Sequence, residues 1–156
     1  MKTFEQHHDI WLPRPLSEVF TFFADASNLS SLTPDWLAFR IVTPSPVKMT
    51  TGTRIDYRIR LRGVPMRWTS LISRWEPPHL FVDEQVRGPY RSWIHTHRFE
   101  SQNGGTLVSD HVSYAVWGGS LVNRWFVEPD LERIFRFRRN RLLERFEETA
   151  EYFHAS

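Results

Sequence analysis

The hydrophobic period of this chain changes at Trp36 and again after Pro129, and those two changes leave few folds open to it. Between Trp36 and Val116 apolar residues recur at every second position, in runs broken by turn signals about every 8 to 12 residues, the spacing of consecutive antiparallel strands. After Pro129 the spacing becomes helical: Leu131, Ile134, Phe135, Leu142, Phe146 and Phe153 share one side, with Asp130 and Glu132 near the helix's positive end. A helix over residues 129–153 would be ~37 Å long at about 1.5 Å per residue, longer than a small domain is wide. Such a helix can cross the open mouth of a strongly curved sheet.

Residues 4–12 alternate as an opening strand, with His8, Ile10 and Leu12 on one face and Asp9 and Trp11 on the other, and Pro13 and Pro15 end it. Leu16, Val19, Phe20 and Phe23 then mark a short amphipathic helix, with Pro15 suited to its first position, and a second short helix covers residues 27–32. Strands follow in order. Leu37, Phe39 and Ile41 alternate, then Ile55, Tyr57, Ile59 and Leu61, then Met66, Trp68, Ser70 and Ile72 after a turn at Gly63 and Pro65. Glu76-Pro77-Pro78 breaks that strand before residues 80–87, Gly88-Pro89 turns again, and residues 90–100 and 106–116 form the last two strands around Asn103-Gly104-Gly105. Gly118-Gly119 closes the sheet. The expected fold is α+β: a curved seven-stranded antiparallel sheet wrapped around a long C-terminal helix, with two short helices after strand 1.

A chain of 156 residues is about one domain's worth, so residues 1–156 are read as a single ligand-binding domain. Aromatic residues reach 15%, with 7 Trp and 12 Phe, enough rigid flat surface to fill a core or to line a pocket for a flat ligand. Cysteine is absent, which removes disulfides, thiolate nucleophiles and Cys-based metal sites. The polar opening residues carry no apolar run of signal-peptide type, and no stretch approaches the ~20 apolar residues of a membrane span. The expected location is cytoplasmic.

The order strand, two short helices, six antiparallel strands and a long C-terminal helix resembles the START-like helix-grip superfamily, also called SRPBCC, over nearly the whole chain. The run from Phe81-Val82-Asp83-Glu84-Gln85 through Gly88-Pro89-Tyr90 to His95-Thr96-His97-Arg98-Phe99 is similar to its polyketide cyclase/dehydrase-like ligand-binding branch, as is Gly104-Gly105-Thr106 followed by Asp110, Val112 and Tyr114. The resemblance implies a deep cavity between sheet and helix. It leaves both ligand and reaction open, because the branch holds binders and cyclases alike.

Alternate strand residues share a face, so Phe81, Asp83 and Gln85 point together, as do Trp93, His95, His97 and Phe99, and Val108, Asp110, Val112 and Tyr114. Each row mixes apolar side chains with one or two polar ones, the pattern of an apolar pocket with a few orienting groups. All three rows are assigned to the concave face. On the sixth strand the alternative register would bury Arg98 unpaired, whereas burying Trp93 and Phe99 gains about 1.5 to 3 kcal/mol each. Asp83, Gln85, His95, His97, Asp110 and Tyr114 then form either a patch that orients a ligand or a self-satisfied hydrogen-bond network. Tyr57, Trp68, Trp93 and Phe81 serve as aromatic walls, and Ile59, Phe99, Val112 and Phe135 complete the expected ligand-binding set.

His95 and His97 at i and i+2 share a face, and Asp110 could join them around a metal, but no further ligand motif accompanies them and no metal or cofactor is expected. The same groups, with Asp83, could serve as general acid and base. A Ser-His-Asp arrangement using Ser92, Ser109 or Ser113 lacks a nucleophile elbow, and alternation puts Ser92 opposite His95. Arg133, Arg136, Arg138, Arg139, Arg141 and Arg145 alternate with Glu132, Glu144, Glu147, Glu148 and Glu151 and read mostly as a solvated helix face, so no nucleic-acid partner and no stable membrane insertion is expected. The expected partner is an apolar small molecule, with a cyclase/dehydratase-type reaction in the same cavity as the alternative. Oligomeric state is left open.

Overall fold

A computed structural model describes the backbone of residues 1–155 and the side chains through Glu147. Seven strands form one antiparallel sheet: β1 (Phe4–Leu12), β2 (Arg40–Ile41), β3 (Arg54–Leu61), β4 (Val64–Glu76), β5 (Leu80–Arg87), β6 (Ser92–Gln102) and β7 (Gly105–Ala115), in spatial order β1-β7-β6-β5-β4-β3-β2. Only β1 to β7 joins strands distant in sequence, because helix α1 (Leu16–Ala24) and a 3₁₀ helix (Ala26–Leu32) intervene after β1. The β6–β7 hairpin turns through Asn103 at φ 49° and Gly104 at φ 77°, the paired positive angles that suit a two-residue turn to the strand twist. A side chain at Gly105 would strike the Leu12 carbonyl and the Trp11 ring, so the start of β7 can lie this close to the end of β1 only with a glycine at that position.

Register shifts between Thr69 and Ser70 and between Ile72 and Arg74 interrupt the β4–β5 ladder. Such bulges bend a strand and increase its twist, and these lie where the sheet curls around the interior. Helix α3 (Glu128–Ala155) fills the concave side with Leu131, Phe135, Leu142 and Phe146 buried. Phe153, Glu148 and Glu151 lie outside the residues whose side chains are described.

Two sequence expectations need correction. Residues 37–41 do not make a full strand: Pro34 caps a 3₁₀ turn (Asp35–Leu37), Ala38 takes a left-handed φ of 45°, and only Arg40–Ile41 pairs with β3. The helical run also begins at residue 119 rather than 129, with a short α2 (Gly119–Val122) leading into a π turn (Asn123–Val127) and then α3. Pro129 cannot bond back to the Trp125 carbonyl and its ring crowds that carbonyl, so the helix continues through a local widening rather than starting at the proline.

Two apolar clusters flank the middle of the sheet. One packs Phe20, Phe22, Phe81, Phe99, Leu142 and Phe146 beneath α1; the other gathers Ile59, Trp68, Trp93, Val112, Leu131 and Phe135. A column of rings joins them: Phe81 stacks on His97 at 4.0 Å, His97 on His95 at 3.7 Å, and Trp93 meets His95 edge-on at 6.1 Å.

Candidate functional site

Strand alternation turns Trp93, His95, His97 and Phe99 inward and leaves Ile94 and Arg98 outside. Antiparallel register then sets a carboxylate on either side of the imidazoles. Asp83 faces His95 from β5, and Asp110 faces His97 from β7. Each imidazole, however, bonds diagonally to the other acid: His95 Nε2 lies 2.7 Å from Asp110 Oδ1, and His97 Nε2 lies 2.6 Å from Asp83 Oδ2. Diagonal reach across one strand spacing is ordinary for side chains of this length. Arg138 on α3 completes the group, donating from Nη2 to Asp110 Oδ1 at 3.3 Å.

Burial alone would neutralise these acids, but His97, His95 and Arg138 outweigh it and hold the Asp83 carboxyl below its ordinary range. Asp110 is held well below, with Arg138 the largest of the offsetting charges. Burial and the neighbouring His97 depress His95, whereas at His97 hydrogen bonding and charge from both aspartates overcome burial and raise it. Near pH 6.5 these directions favour two carboxylates, Arg138, one imidazolium at His97 and one neutral imidazole at His95, which sums to no net charge. His97 Nδ1 lies 3.3 Å from Asp110 Oδ1 without the alignment of a full hydrogen bond, and Arg138 Nε is buried without a hydrogen-bond partner.

Asp83, His95 and His97 offer ligand atoms within 4.8 Å of one another, the spacing of a possible metal cluster. Their geometry serves proton sharing better. The two rings stack at an interplanar angle of 24°, so their in-plane nitrogens run side by side rather than converging, both Nε2 atoms are engaged by carboxylates, and Arg138 adds positive charge.

Beside this group lies a cavity of about 210 Å³ between the sheet and α3. Tyr57, Ile59, Trp68, Phe81, Trp93 and Phe135 are among the residues of its wall, with Asp83, His95 and His97 also lining it. Ser70 makes a second polar point: its Oγ accepts from Trp68 Nε1 at 3.0 Å and shares a 2.6 Å hydrogen bond with the Tyr57 hydroxyl, whose ionisation burial suppresses. Half-buried Asn28, Leu29, Thr33 and Met49 rim it near the 3₁₀ helix. A larger groove of about 460 Å³, more polar than the cavity, runs between β1 and α3 past His7, Asp9, Glu132 and Arg136, and is also lined by Asp110 and Arg138. His8 stacks on Phe135 there at 4.2 Å.

Nine of the fourteen residues expected at a ligand site line the cavity: Tyr57, Ile59, Trp68, Phe81, Asp83, Trp93, His95, His97 and Phe135. The other five do not. Gln85 clamps the following turn, donating to the Tyr90 carbonyl at 2.8 Å and accepting from its N–H at 3.0 Å. Phe99 packs against Phe20 and Phe23, Val112 is sealed in the core, and Tyr114 donates to Asn123 Oδ1 at 2.7 Å. Asp110 stands behind the imidazoles. Sequence reasoning missed Ser70, Tyr90 and above all Arg138, whose place on the stripe Leu131, Phe135, Arg138, Leu142 was the available signal. The expectation of a solvated arginine face holds elsewhere on α3: Arg139 donates to the Asp9 carbonyl, Arg141 pairs with Glu144, and Arg133 lies over Trp36.

A curled antiparallel sheet gripping one long helix, with an apolar cavity between them and a few converging polar groups, defines a helix-grip cavity protein. The chain belongs to the polyketide cyclase / dehydrase and lipid transport family, whose model matches residues 12–147. Among solved structures it is similar to an aromatase/cyclase from a Streptomyces strain, at 14% identity and a TM-score of 0.74 over 96% of both chains. It also resembles a protein from Mycobacterium smegmatis, at 14% identity and a TM-score of 0.68 over 93% of this chain and 92% of that one. A major latex-like protein from Panax ginseng aligns at 9% identity and a TM-score of 0.62, over 92% and 97%. At these identities the likeness is one of fold. No curated protein matches the sequence.

Proposed function

We propose that the protein binds an apolar or aromatic small molecule, such as a lipid or a polyketide-like metabolite, in the cavity between sheet and α3. The observation that supports this is the composition of the wall, mostly aromatic and aliphatic, with its polar groups gathered at Ser70, at the Asp83, His95, His97 and Arg138 group, and at the Asp25, Asn28 and Thr33 rim. Apolar surface supplies affinity in such a site, and the sparse polar groups set orientation. The binding step needs no cofactor. Native mass spectrometry and displacement of an anilinonaphthalene probe, across one- to three-ring aromatics and fatty acids, test it. Saturable one-to-one binding is expected, and failure of every member to bind would sink the reading.

One observation favours a second reading, a cyclase/dehydratase-type reaction in the same cavity. His97 favours its protonated form and His95 its neutral form, side by side at the cavity wall, so an acid and a base sit within 3.7 Å of each other, ring centre to ring centre. Asp110 and Arg138 would hold that asymmetry from behind, with the polar groove giving water and protons a way to Asp110. With a polyketide-like substrate found by the binding screen, turnover unchanged in His95→Asn and His97→Gln would remove both roles.

A further inference from the structure

Where β7 ends, the chain turns outward through Gly118 and Gly119, both at positive φ, and exposes a row of large apolar side chains. Trp117 is 64% exposed, Leu121 71%, Trp125 65% and Phe126 51%. Leu121 and Trp125 stand four apart on one helical face. No other stretch of the described residues exposes four such side chains within ten positions, and clusters of this kind mark interaction surfaces.

The cations around the row say what it meets. Arg91 lies over the Trp117 ring at 5.2 Å, Arg124 over Trp125 at 5.8 Å and Arg62 over Phe126 at 5.0 Å, while Lys2 reaches Ser120 Oγ at 3.0 Å. Residues 117–127 contain no acidic side chain. The acids that follow are engaged: Asp130 accepts from Arg62 at 3.2 Å, and Glu128 from Asn123 at 3.5 Å. A second copy of the chain laid on this face would bring arginine against arginine. An anionic bilayer satisfies both halves of the pattern, with lipid phosphates meeting the cations while indole, phenyl and leucyl groups enter the headgroup boundary.

We propose that residues 117–126, with Lys2 and Arg91, form a docking surface for anionic phospholipid membranes. The contact is interfacial: no helix among the described residues is long and apolar enough to cross a membrane. The docked end is also an end of the cavity. Arg62 follows cavity-lining Leu61, Arg91 follows Tyr90, and Leu131 follows Asp130, so docking sets these walls next to the lipid. Docking itself rests on the surface alone; only its use in loading or unloading the cavity rests on the ligand reading above.

Co-sedimentation of the full chain with phosphatidylcholine vesicles, with and without about one-third phosphatidylserine, at low and high salt, tests the proposal. Binding to the anionic vesicles alone is expected, reversed by salt, and reduced at least about tenfold both in Leu121→Ser/Trp125→Ser and in Arg91→Glu/Arg124→Glu. All four side chains are exposed, so circular dichroism melting should be unchanged. Probe binding without vesicles should also be unchanged, which separates a failure of docking from a failure of the cavity. The proposal is overturned if the parent protein stays in the supernatant at low salt, or if both variants sediment like it. Light scattering that shows a dimer dissolved by Leu121→Ser/Trp125→Ser, without vesicle binding, would assign the face to self-association instead.

Discussion

Arg138 reaches from the middle of α3 to place Nη2 3.3 Å from Asp110 Oδ1, and this buried pair ties the helix to β7 across the interior. Asp110 Oδ1 also takes the His95 bond at 2.7 Å and has His97 Nδ1 at 3.3 Å, so one oxygen anchors three cationic or potentially cationic groups from two elements. Desolvating these charges is costly, and the group is tolerable because its charges cancel.

Removing both partners should therefore cost less than the two single removals added together. Arg138→Met leaves Asp110 buried with a lone imidazolium to balance two carboxylates, and Asp110→Asn leaves Arg138 buried beside an uncompensated charge. Each single change should cost about 3 to 5 kcal/mol in urea unfolding, and the double variant clearly less than the sum. Additive losses would show that the pair is not coupled.

Stability should peak near pH 6.5. His97 is raised in the fold, so its contribution is complete below the unfolded value of 6.5 and is lost as pH rises through its higher folded value. His95 is lowered, so its contribution is present above 6.5 and is lost as pH falls through the window beneath it. Asp83 and Asp110 are lowered too, and their contributions vanish as pH falls below 3.8. Urea midpoints between about pH 3 and pH 9 should trace this shape, and His97→Gln should flatten the alkaline side. A midpoint that climbs steadily above pH 6.5 contradicts the assignment.

The inward register of β6 was legible because one alternation put Arg98 in the core and the other put Trp93 and Phe99 there, a difference of several kcal/mol that local sequence exposes. Arg138 was not legible as an ion-pair partner, because six arginines in thirteen residues look alike until the helix phase and the partner on β7 are both known. Asp110 and Gln85 share a face with true cavity residues, yet curvature decides which members of a row reach the void. The β4–β5 bulges add to such curvature, and their positions, at Val86 on β5 and Ser73 on β4, carry no pattern that alternation alone reveals. The start at Gly119 was hidden by Pro129, which marks a helix start by local rules but here follows a widened turn within a longer helical run.

If the void is the binding site, filling it should block binding with little loss of fold. Ile59 is buried at the cavity wall, and Ile59→Phe directs a ring into the space. Probe affinity should fall at least about tenfold, while stability changes by no more than about 1 to 3 kcal/mol, the usual cost of overpacking. Trp68→Ala provides the contrast, with a loss of about 3 to 5 kcal/mol from the emptied core and room for a larger ligand. Unchanged probe affinity in Ile59→Phe would move the site elsewhere.

Ser70 governs the cavity's second polar point, because its one hydroxyl serves both Tyr57 and Trp68. Ser70→Ala removes that oxygen and leaves an indole N–H and a phenol hydroxyl facing an apolar space without a partner. Unsatisfied buried donors cost about 1 to 3 kcal/mol each, so the variant should be destabilised by at least that much, far more than deletion of an exposed serine hydroxyl. The same two donors then become available to a ligand. Among probes of equal size, those with a carbonyl or ether acceptor should bind the variant more tightly than the parent protein, and purely hydrocarbon probes should not. Thermal melts with matched probe pairs separate these effects. A variant as stable as the parent, with no shift in probe preference, would mean that Tyr57 and Trp68 find other partners and that Ser70 sets no orientation in the cavity.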